Sequence, residues 1–189
     1  SRSRSIESIE REASLLVTNG YQEIVVTGIN VGDFDGGDGS KRLSDIVYSL
    51  EKIEGLKRIR ISSIDPDEVE DDLIEAISTS KKASHSMHIV LQAGSNRILK
   101  RMNRKYTKQD FLKTVRRLRD VFPDFTFTTD LIVGFPGESE DDFEESLSMI
   151  REVGFAKVHM FPYSKREGTR AARFSDSVAK EEMENRRQR

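Results

Sequence analysis

Hydrophobic and polar positions along the chain follow two spacings in turn, one typical of buried strands and one typical of helices. Runs rich in β-branched and aromatic residues begin near residues 23, 58, 86, 126 and 157. After each run, apolar side chains recur at the spacing that places them on one face of a helix. Alternation of strand and helix at this period predicts a parallel sheet with right-handed crossovers.

The strands predicted from this pattern cover residues 23–28, 58–64, 87–92, 126–133 and 157–163. The helices are predicted from their apolar faces: Ile6, Ile9, Ala13, Leu16 and Val17; Leu43, Ile46, Val47 and Leu50; Val69, Leu73, Ile74 and Ile77; Phe111, Val115, Leu118 and Phe122; Phe143, Leu147 and Ile150. A short helix after Ser95 and a charged helix after Asp176 complete the series.

The first predicted helix comes before any strand. A helix with such an apolar face normally packs on a preceding strand, so we expect a sixth strand upstream of Ser1. The pattern therefore predicts an α/β fold, a partial (β/α)6 TIM-like barrel whose first strand is missing from this chain, with a doubly wound sheet as the alternative. We expect residues 1–189 to be one core, excerpted from a longer protein.

The stretch from Thr126 to Glu138 combines a buried strand, a glycine-rich loop and a helix start. Asp130 places a carboxylate within the strand, where burial without a partner costs several kcal/mol, roughly. Ser139 and Asp142 have the spacing of a capping box at the start of the next helix. In parallel α/β proteins, small ligands bind at such junctions.

Composition narrows the functional classes. The net charge is −2. The chain has no cysteine, and this absence excludes disulfides, thiolate zinc sites and cysteine-bound iron–sulfur clusters within these residues. No apolar run approaches the roughly 20 residues of a membrane span, and no signal-peptide pattern opens the chain. We therefore expect a cytoplasmic protein with no membrane partner.

The segments that follow the predicted strands are small, polar and rich in glycine, with two aromatic residues. They read Thr27-Gly28-Ile29-Asn30, Ser62-Ser63-Ile64-Asp65, Gln92-Ala93-Gly94-Ser95, Gly134-Phe135-Pro136-Gly137-Glu138 and Phe161-Pro162-Tyr163-Ser164. Such segments offer backbone donors, hydroxyls and flat rings to a ligand. Since no catalytic triad, paired glutamates or metal triad is evident, they favour cofactor binding over side-chain acid–base chemistry.

Each of these features also has a structural interpretation. A strand-end glycine can serve only the turn, and Asp130 can be a helix cap or a structural hydrogen-bond acceptor. His88 and His159, within strands, can be satisfied interior histidines. The basic segment from Lys100 to Tyr106 is either a solvated helix end or a contact to phosphate groups.

Several motifs together resemble the radical-SAM methylthiotransferases, within them the branch that acts on tRNA threonylcarbamoyladenosine. The matching segments cover nearly the whole chain: Arg-Ser-Arg-Ser at 2–5, Thr-Gly-Ile at 27–29, Ile-Arg-Ile-Ser-Ser at 59–63, Gln-Ala-Gly-Ser at 92–95, Leu-Lys-Arg-Met at 99–102, Arg-Lys-Tyr-Thr at 104–107, Asp130 to Glu138, and Phe161 to Thr169.

This resemblance implies binding of S-adenosylmethionine and, in the longer protein, two [4Fe–4S] clusters reduced by an electron donor. It also implies a tRNA substrate, a domain before the barrel and an RNA-binding domain after it. Thr27 and Gly28 are expected near the methionine amino group, and Ser62, Ser63, Gln92 and Asp130 near the methionine and ribose. Gly134, Phe161 and Tyr163 are expected beside the adenine, and Asn30 completes the predicted cofactor-binding set. The predicted RNA-binding residues are Arg2, Arg4, Lys100, Arg101, Arg104, Lys105, Lys165 and Arg166.

The chain departs from the family pattern in several places. The family's three-cysteine loop and its flanking domains are absent, so no cluster is ligated here and the excerpt is expected to be inactive alone. Ala93, Ser84 and Arg170 stand where the family commonly has serine, cysteine and proline. Two alternatives stay open: a ribosomal-protein methylthiotransferase, and a non-catalytic barrel that binds RNA or nucleotide. A third alternative, a generic phosphate-binding barrel enzyme, is not favoured, because the chain shows no convincing acid–base pair.

Overall fold

A computed structural model describes residues 3–189. It divides into two compact units, which are treated separately below. The first unit comprises the described residues up to His88 together with Arg116–Thr126. The second unit comprises Ile89–Val115 and Phe127–Arg189. No helix within residues 3–189 combines the length and the apolar composition that a bilayer crossing requires.

The elements occur in the order predicted from the sequence. The strands are β1 (Glu23–Val26), β2 (Arg58–Ile61), β3 (Ser86–His88), β4 (Thr126–Val133) and β5 (Lys157–Pro162). The α-helices are α1 (Ile6–Thr18), α2 (Leu43–Glu51), α3 (Asp71–Thr79), α4 (Asn96–Arg101), α5 (Lys108–Val121), α6 (Glu140–Val153) and α7 (Lys180–Gln188). Short 3₁₀ helices span Pro66–Glu68 and Ala171–Arg173.

The first unit is built on the parallel pair of β1 and β2, in which Val26 lies opposite Ile61. Residues of α2, β2 and α3 fill its core, including Leu50, Ile59 and Ile77, each no more than 1% exposed. The apolar face predicted for α1 is only partly covered, because Ala13 is its buried residue and its other apolar side chains are half-buried or exposed.

The second unit is built on β4, which pairs in parallel with β5. On its other side, residues 89–92 also run parallel, since the Ile89 N–H donates to the Thr128 carbonyl and Gln92 forms a bridge with Leu131. Alternate residues of β4 are fully buried, among them Phe127 and Leu131, while the residues between them are half-exposed. The two faces of β4 therefore have different surroundings, as expected of a strand covered by helices on one side.

The third strand differs from its prediction. Regular strand geometry ends at His88 rather than at Gln92, although hydrogen bonding to β4 continues intermittently to Gln92. The ladder is interrupted because the Leu91 N–H donates to the Thr129 hydroxyl instead of to a backbone carbonyl. The segment cannot continue as a strand at Gln92, since its φ of 63° is incompatible with extended backbone. β1 is likewise shorter than predicted, since Thr27 and Gly28 lie beyond its last paired residue, Val26.

Candidate functional site

In the first unit, the predicted site residues lie at the adjacent carboxyl ends of β1 and β2. Thr27 and Gly28 directly follow β1, and Ser62 and Ser63 directly follow β2. The two ends are joined by a hydrogen bond from the Ser62 N–H to the Val26 carbonyl, 2.9 Å long. These hydroxyl and backbone groups are partly or fully exposed and can therefore receive a polar ligand.

Asn30 lies in the loop that follows β1, and its amide is held by a neighbouring acid. The Asn30 side-chain N–H donates to the Asp33 carboxylate at 2.6 Å. Thr27, Gly28 and Asn30 line a cavity of about 450 Å³ whose walls are otherwise mainly apolar residues of α1, β1 and α2. The structure thus brings all five predicted residues of this unit to one end of β1 and β2, three of them at the wall of a cavity.

In the second unit, the predicted residues come from three parallel segments that lie side by side. Asp130 faces His159 in the register of β4 and β5, and Phe161 lies opposite Ile132. The Gln92 N–H donates to the Asp130 carbonyl at 2.9 Å, which ties the preceding segment to β4. Asp130 and His159 are half-buried, whereas half of Phe161 is exposed. Polar groups and an accessible ring therefore share this part of the sheet.

Gln92 has a backbone conformation that favours glycine. Its φ is 63°, one of two positive values among the described non-glycine residues, and its side chain is buried. Two hydrogen bonds hold it there, one from its own N–H and one from the Ile132 N–H to its carbonyl at 2.9 Å. Residues in this region cost of order 1–3 kcal/mol and cluster at functional sites. The strain supports the prediction that Gln92 has a functional role.

The backbone of the loop from Gly134 to Glu138 is held by two arginines of α4 and by the segment that precedes α7. Arg101 of α4 donates to the Pro136 carbonyl at 3.1 Å, and Arg97 donates to the Gly137 carbonyl at 2.6 Å. From the other direction, the Asp176 carbonyl accepts the Gly137 N–H at 2.6 Å. The backbone of this loop is consequently fixed at successive peptide groups.

Gly134 is enclosed more tightly than the sequence predicted. Its N–H donates to the Glu138 carboxylate at 2.6 Å, so this backbone donor is satisfied within the chain. Its φ is 72°, and a side chain on its Cα would lie 2.1 Å from a carbon of Met183 in α7. Gly134 is therefore required both by its conformation and by the close approach of Met183.

Glu138 forms a buried ion pair with Arg186 of α7. The carboxylate accepts from the Arg186 guanidinium at 2.7 Å, and the two side chains are only 1% and 5% exposed. Burial raises the pKa of the Glu138 carboxyl, while the hydrogen bond from Gly134 and the charge of Arg186 act in the opposite direction. The ionised carboxylate thus depends on the guanidinium beside it.

A second buried acid, Asp142, joins the start of α6 to the segment around Gly94. It accepts hydrogen bonds from the Ser95 hydroxyl at 2.5 Å and from Ser139, and it pairs with Arg97. Ser139 and Asp142 each accept a hydrogen bond from the backbone N–H of the other, which confirms the predicted capping box. Burial alone raises the pKa of the Asp142 carboxyl, but the hydrogen bonds from Arg97, Ser95 and Ser139 together hold it well below its usual range.

Asp142 is expected to make stability depend on pH in the acid range. Because its pKa is lower in the folded chain, its contribution is present above the unfolded pKa of about 3.9 and is lost as the pH falls through the lowered folded value. Asp142→Asn should therefore be less stable than the wild type at pH 7, and the difference should shrink as the pH falls.

Urea unfolding at pH 7, 3.5 and 2.5 measures this difference. Asp141→Asn is the matched control, since Asp141 occupies the same helix turn but is exposed. A difference between wild type and Asp142→Asn that stayed constant over this range, or one shared by Asp141→Asn, would contradict the prediction.

Tyr163 belongs to an aromatic cluster behind the loop. Its ring meets the ring of Phe135 edge to face, with centroids 5.3 Å apart, and Phe135 in turn approaches Phe174 at 6.3 Å. The Tyr163 hydroxyl is buried and has no hydrogen-bond partner among the described residues. Such a group normally finds a partner, so this hydroxyl is available to a water molecule or a ligand.

The predicted RNA-binding residues have different environments. Arg2 lies outside the described residues. Arg4 pairs with Glu12, and Arg101 pairs with Asp176 at 2.8 Å while its guanidinium lies 4.6 Å from the Phe174 ring centroid. Arg104 is half-buried, whereas the remaining predicted side chains are exposed: Lys100, Lys105, Lys165 and Arg166.

The basic segments of the second unit approach one another around Phe174. Arg170, from the segment that follows β5, lies 6.0 Å from the ring that Arg101 of α4 covers. Arg101 has a structural role in this arrangement, because it also binds the loop at Pro136. One arginine of α4 and one of the segment after β5 thus approach the same aromatic side chain.

Sequence reasoning missed the residues that hold the loop. Arg97, Asp176, Met183 and Arg186 act through contacts to positions far away in sequence, 48 residues in the case of Arg186 and Glu138. The charged composition of α7 gave no signal, because its basic residues are equally compatible with a solvated helix. Within the Asp130–Glu138 motif, Glu138 was identifiable, but its buried partner was not.

Comparison with known proteins shows the superfamily to which the chain belongs. Residues 1–150 match the model of a protein family described as the Radical SAM superfamily. The chain belongs to this superfamily. The match covers all of the first unit and the part of the second unit that contains Gln92, Asp130, Gly134 and Glu138, and it confirms that the chain is of the radical-SAM type, as the motifs predicted.

Two curated relatives of this superfamily member are tRNA-modifying enzymes. Threonylcarbamoyladenosine tRNA methylthiotransferase MtaB of Chlamydia pneumoniae is 51% identical over 176 residues, which cover 93% of this chain and 41% of the relative. tRNA-2-methylthio-N(6)-dimethylallyladenosine synthase of Acetivibrio thermocellus is 43% identical over 190 residues, covering 100% of this chain and 39% of the relative. The chain thus spans about two fifths of the length of the relatives it matches.

A solved structure shares the fold at low sequence identity. The radical S-adenosylmethionine methyltransferase TsrM from Kitasatospora setae, solved with cobalamin and a [4Fe–4S] cluster, has a TM-score of 0.67 at 12% identity. The similarity covers 84% of this chain and 31% of TsrM. It confirms the predicted fold class, an α/β fold of the radical-SAM type with parallel strands.

Proposed function

We propose that this chain is the S-adenosylmethionine-binding core of a methylthiotransferase that modifies threonylcarbamoyladenosine in tRNA. The observation that carries the proposal is 51% identity over 93% of the chain to an enzyme of that name. A cytoplasmic location, an electron donor and RNA-binding and cluster-binding parts of a longer protein belong to the same proposal.

The residues at the strand ends fit the cofactor. The hydroxyl and backbone groups of Thr27, Gly28, Ser62 and Ser63 suit the amino and carboxylate groups of a methionine moiety, with Asn30 at the edge of this group. When bound, S-adenosylmethionine supplies a sulfonium for one-electron chemistry.

The second unit supplies the groups that suit a nucleoside. Gln92 and Asp130 provide an amide and a carboxylate for ribose hydroxyls, and Gly134, Phe161 and Tyr163 provide the surroundings of an adenine ring. Two observations support this part of the proposal: half of Phe161 is exposed, and the buried Tyr163 hydroxyl has no hydrogen-bond partner among the described residues. Flat, accessible rings are well suited to cover a base.

An iron–sulfur cluster does not fit the residues of this chain, because cluster iron is normally held by thiolates and the chain has no cysteine. We therefore propose that the cluster ligands of the longer protein lie outside residues 1–189 and that this chain alone does not cleave S-adenosylmethionine. Reductive cleavage by the 189-residue chain, after reconstitution with iron and sulfide, would contradict this.

Binding of the cofactor can be tested with glycine-selective ¹⁵N labelling, since the chain has 12 glycines. Titration with S-adenosylmethionine should shift the amide signals of Gly28 and Gly134 while Gly20, Gly39 and Gly154 stay unchanged. ATP is the comparison ligand. Equal shifts with ATP would favour the alternative of a non-catalytic nucleotide-binding barrel, and no shift at either predicted glycine would overturn the proposed cofactor site.

The substrate can be tested by mass spectrometry of tRNA nucleosides from a strain that lacks the gene. The proposal expects loss of the methylthio group from threonylcarbamoyladenosine. Loss from dimethylallyladenosine instead would support the second candidate, which is favoured by 43% identity to the Acetivibrio thermocellus synthase over the whole chain. Unchanged methylthiolation of tRNA would overturn both and leave the ribosomal-protein alternative.

The exposed lysines of the second unit give a testable contact to tRNA. Lys100 and Lys105 are exposed at and just beyond α4. If each contacts a phosphate, Lys100→Ala with Lys105→Ala should weaken tRNA binding and reduce the slope of log affinity against log salt by about 2, one unit per contact. Filter binding at several salt concentrations measures the slope.

The double variant Lys52→Ala with Lys57→Ala is the matched control, because it removes the same charge from two exposed lysines of the first unit. Equal losses of affinity in the two double variants would show that only net charge matters, and would contradict a specific contact at Lys100 and Lys105.

A further inference from the structure

The C-terminal helix α7 is docked in an unusual way for a helix of a globular protein. Such helices usually bury an apolar stripe, but the single fully buried residue of α7 is Arg186. Met183 is its half-buried apolar residue, and it packs against Gly134. The buried arginine of this helix and its one apolar residue therefore both contact the loop from Gly134 to Glu138.

Arg186 is surrounded by carboxylates as well as by an aromatic ring. Besides Glu138 at 2.7 Å, its guanidinium contacts Glu182 at 2.9 Å and Glu140 at 3.6 Å. It lies 5.5 Å from the Phe143 ring centroid and also donates to the Glu138 backbone carbonyl at 3.3 Å. One guanidinium thus binds both the side chain and the backbone of Glu138.

Glu138 in turn binds the backbone of Gly134. Its carboxylate accepts the Gly134 N–H, and on the other side of the same peptide group the Val133 carbonyl accepts the Tyr163 N–H at 2.8 Å. The peptide group between Val133 and Gly134 is therefore held at its oxygen by Tyr163, which directly follows β5, and at its nitrogen by Glu138. Without Arg186, the buried Glu138 carboxylate would lose its ion pair and keep only the hydrogen bond from the Gly134 N–H.

We propose that Arg186 is a positioning residue through which the C-terminal helix sets the conformation of the Gly134–Glu138 loop and thereby the affinity for S-adenosylmethionine. The expected effect on affinity rests on the proposed function. The expected effect on the loop conformation rests on the geometry of the second unit alone. The proposal assigns to α7 a role in ligand binding, although Arg186 itself contacts Glu138, Glu140 and Glu182 rather than the ligand.

The experiment compares Arg186→Met with Arg186→Lys in the full chain. Exchange of the Gly134 amide proton and the affinity for S-adenosylmethionine are both read from the ¹⁵N-glycine spectrum. Arg186→Met should accelerate Gly134 exchange at least about 10-fold and weaken binding by a similar factor, since about 1.4 kcal/mol corresponds to a factor of ten. Arg186→Lys, which keeps one charged donor, should restore part of both.

Arg189→Met is the matched control. Arg189 lies just after the same helix and approaches Phe143 at 5.0 Å, but its ion pairs are with Glu140 and Glu144 instead of Glu138. Its substitution removes two more exposed ion pairs from the same helix and should leave Gly134 exchange and ligand affinity unchanged. If Arg189→Met matched Arg186→Met in both readouts, helix docking in general would explain the effect and the proposal would be overturned.

If Arg186→Met does not fold, the double variant Glu138→Gln with Arg186→Met removes the unpaired buried charge while keeping an acceptor for the Gly134 N–H. The proposal expects this variant to fold with faster Gly134 exchange than the wild type, and wild-type exchange would overturn it. If the wild type does not bind S-adenosylmethionine, the proposed function fails, and Gly134 exchange alone decides whether Arg186 positions the loop.

Discussion

Gly94→Ala should destabilise the chain by more than about 3 kcal/mol, at the upper end of the cost of overpacking a core. A Cβ atom on Gly94 would lie 2.4 Å from the Ser146 Cα and 2.8 Å from the Glu145 carbonyl oxygen. Both are backbone atoms of α6, so the overlap cannot be relieved by rotating a side chain. Separation of the backbones would also break the hydrogen bond from the Gly94 N–H to the Ser146 hydroxyl, 2.9 Å long.

Urea unfolding followed by circular dichroism measures the loss. Gly28→Ala is the control, because its Cβ would meet the nearest atom, the Val31 Cα, at an ordinary 3.6 Å. It should stay within about 0.5 kcal/mol of the wild type, as surface substitutions usually do. A Gly94→Ala chain as stable as Gly28→Ala would refute the close approach of the two backbones.

Glu138→Ala should cost about 3 kcal/mol, the lower end of the range for breaking a buried ion pair. The lower end applies because Glu182 and Glu140 remain near the Arg186 guanidinium. The loss has two parts: the guanidinium loses its fully buried partner, and the Gly134 N–H loses its acceptor. A buried donor without an acceptor costs about 1–3 kcal/mol by itself.

Glu138→Gln separates these two parts, since glutamine keeps an acceptor oxygen but not the charge. Its loss of stability should be smaller than that of Glu138→Ala, and the difference estimates the contribution of the Gly134 hydrogen bond. Thermal and urea unfolding at pH 7 provide both values. Equal losses for the two variants would show that the Gly134 N–H gains nothing from this acceptor.

The order of strands and helices could be predicted because it depends on local spacing. The Thr126–Val133 strand and the capping box of Ser139 and Asp142 were both identified correctly, since each is defined by residues within a few positions of one another. The apolar face of α6 was predicted less accurately: Phe143 is buried as expected, but Met149 rather than Ile150 completes the buried face. Side-chain packing of this kind depends on the neighbouring segments.

The candidate site was predictable in its position but not in its backbone geometry. The motifs placed Gln92 and Gly134 at strand ends. Gly134 does directly follow β4, whereas Gln92 lies four residues beyond the end of β3 and is held by hydrogen bonds to β4. Nothing in the sequence indicates that Gln92 adopts a positive φ, because glutamine has no preference for that region and the conformation is imposed by hydrogen bonds to β4. The sequence likewise did not indicate that the Glu138 carboxylate accepts the Gly134 N–H.

The contacts of charged side chains were the least predictable part of the structure. Arg101 was assigned to RNA by its basic neighbours, yet its guanidinium binds Asp176 and the Pro136 carbonyl within the second unit. A basic cluster in a sequence does not distinguish arginines that brace a loop from lysines that reach solvent. The two kinds are separated only by partners that are 35 and 75 residues away.

The 48-residue separation of Glu138 and Arg186 has a consequence for synthesis. At translation rates of about 5–20 residues per second, Glu138 is made roughly 2–10 s before Arg186. During that interval the nascent chain carries an acid whose eventual counterion does not yet exist. The Gly134–Glu138 loop therefore reaches its final contacts only after Arg186 has been made, well after synthesis of the strand that leads into it.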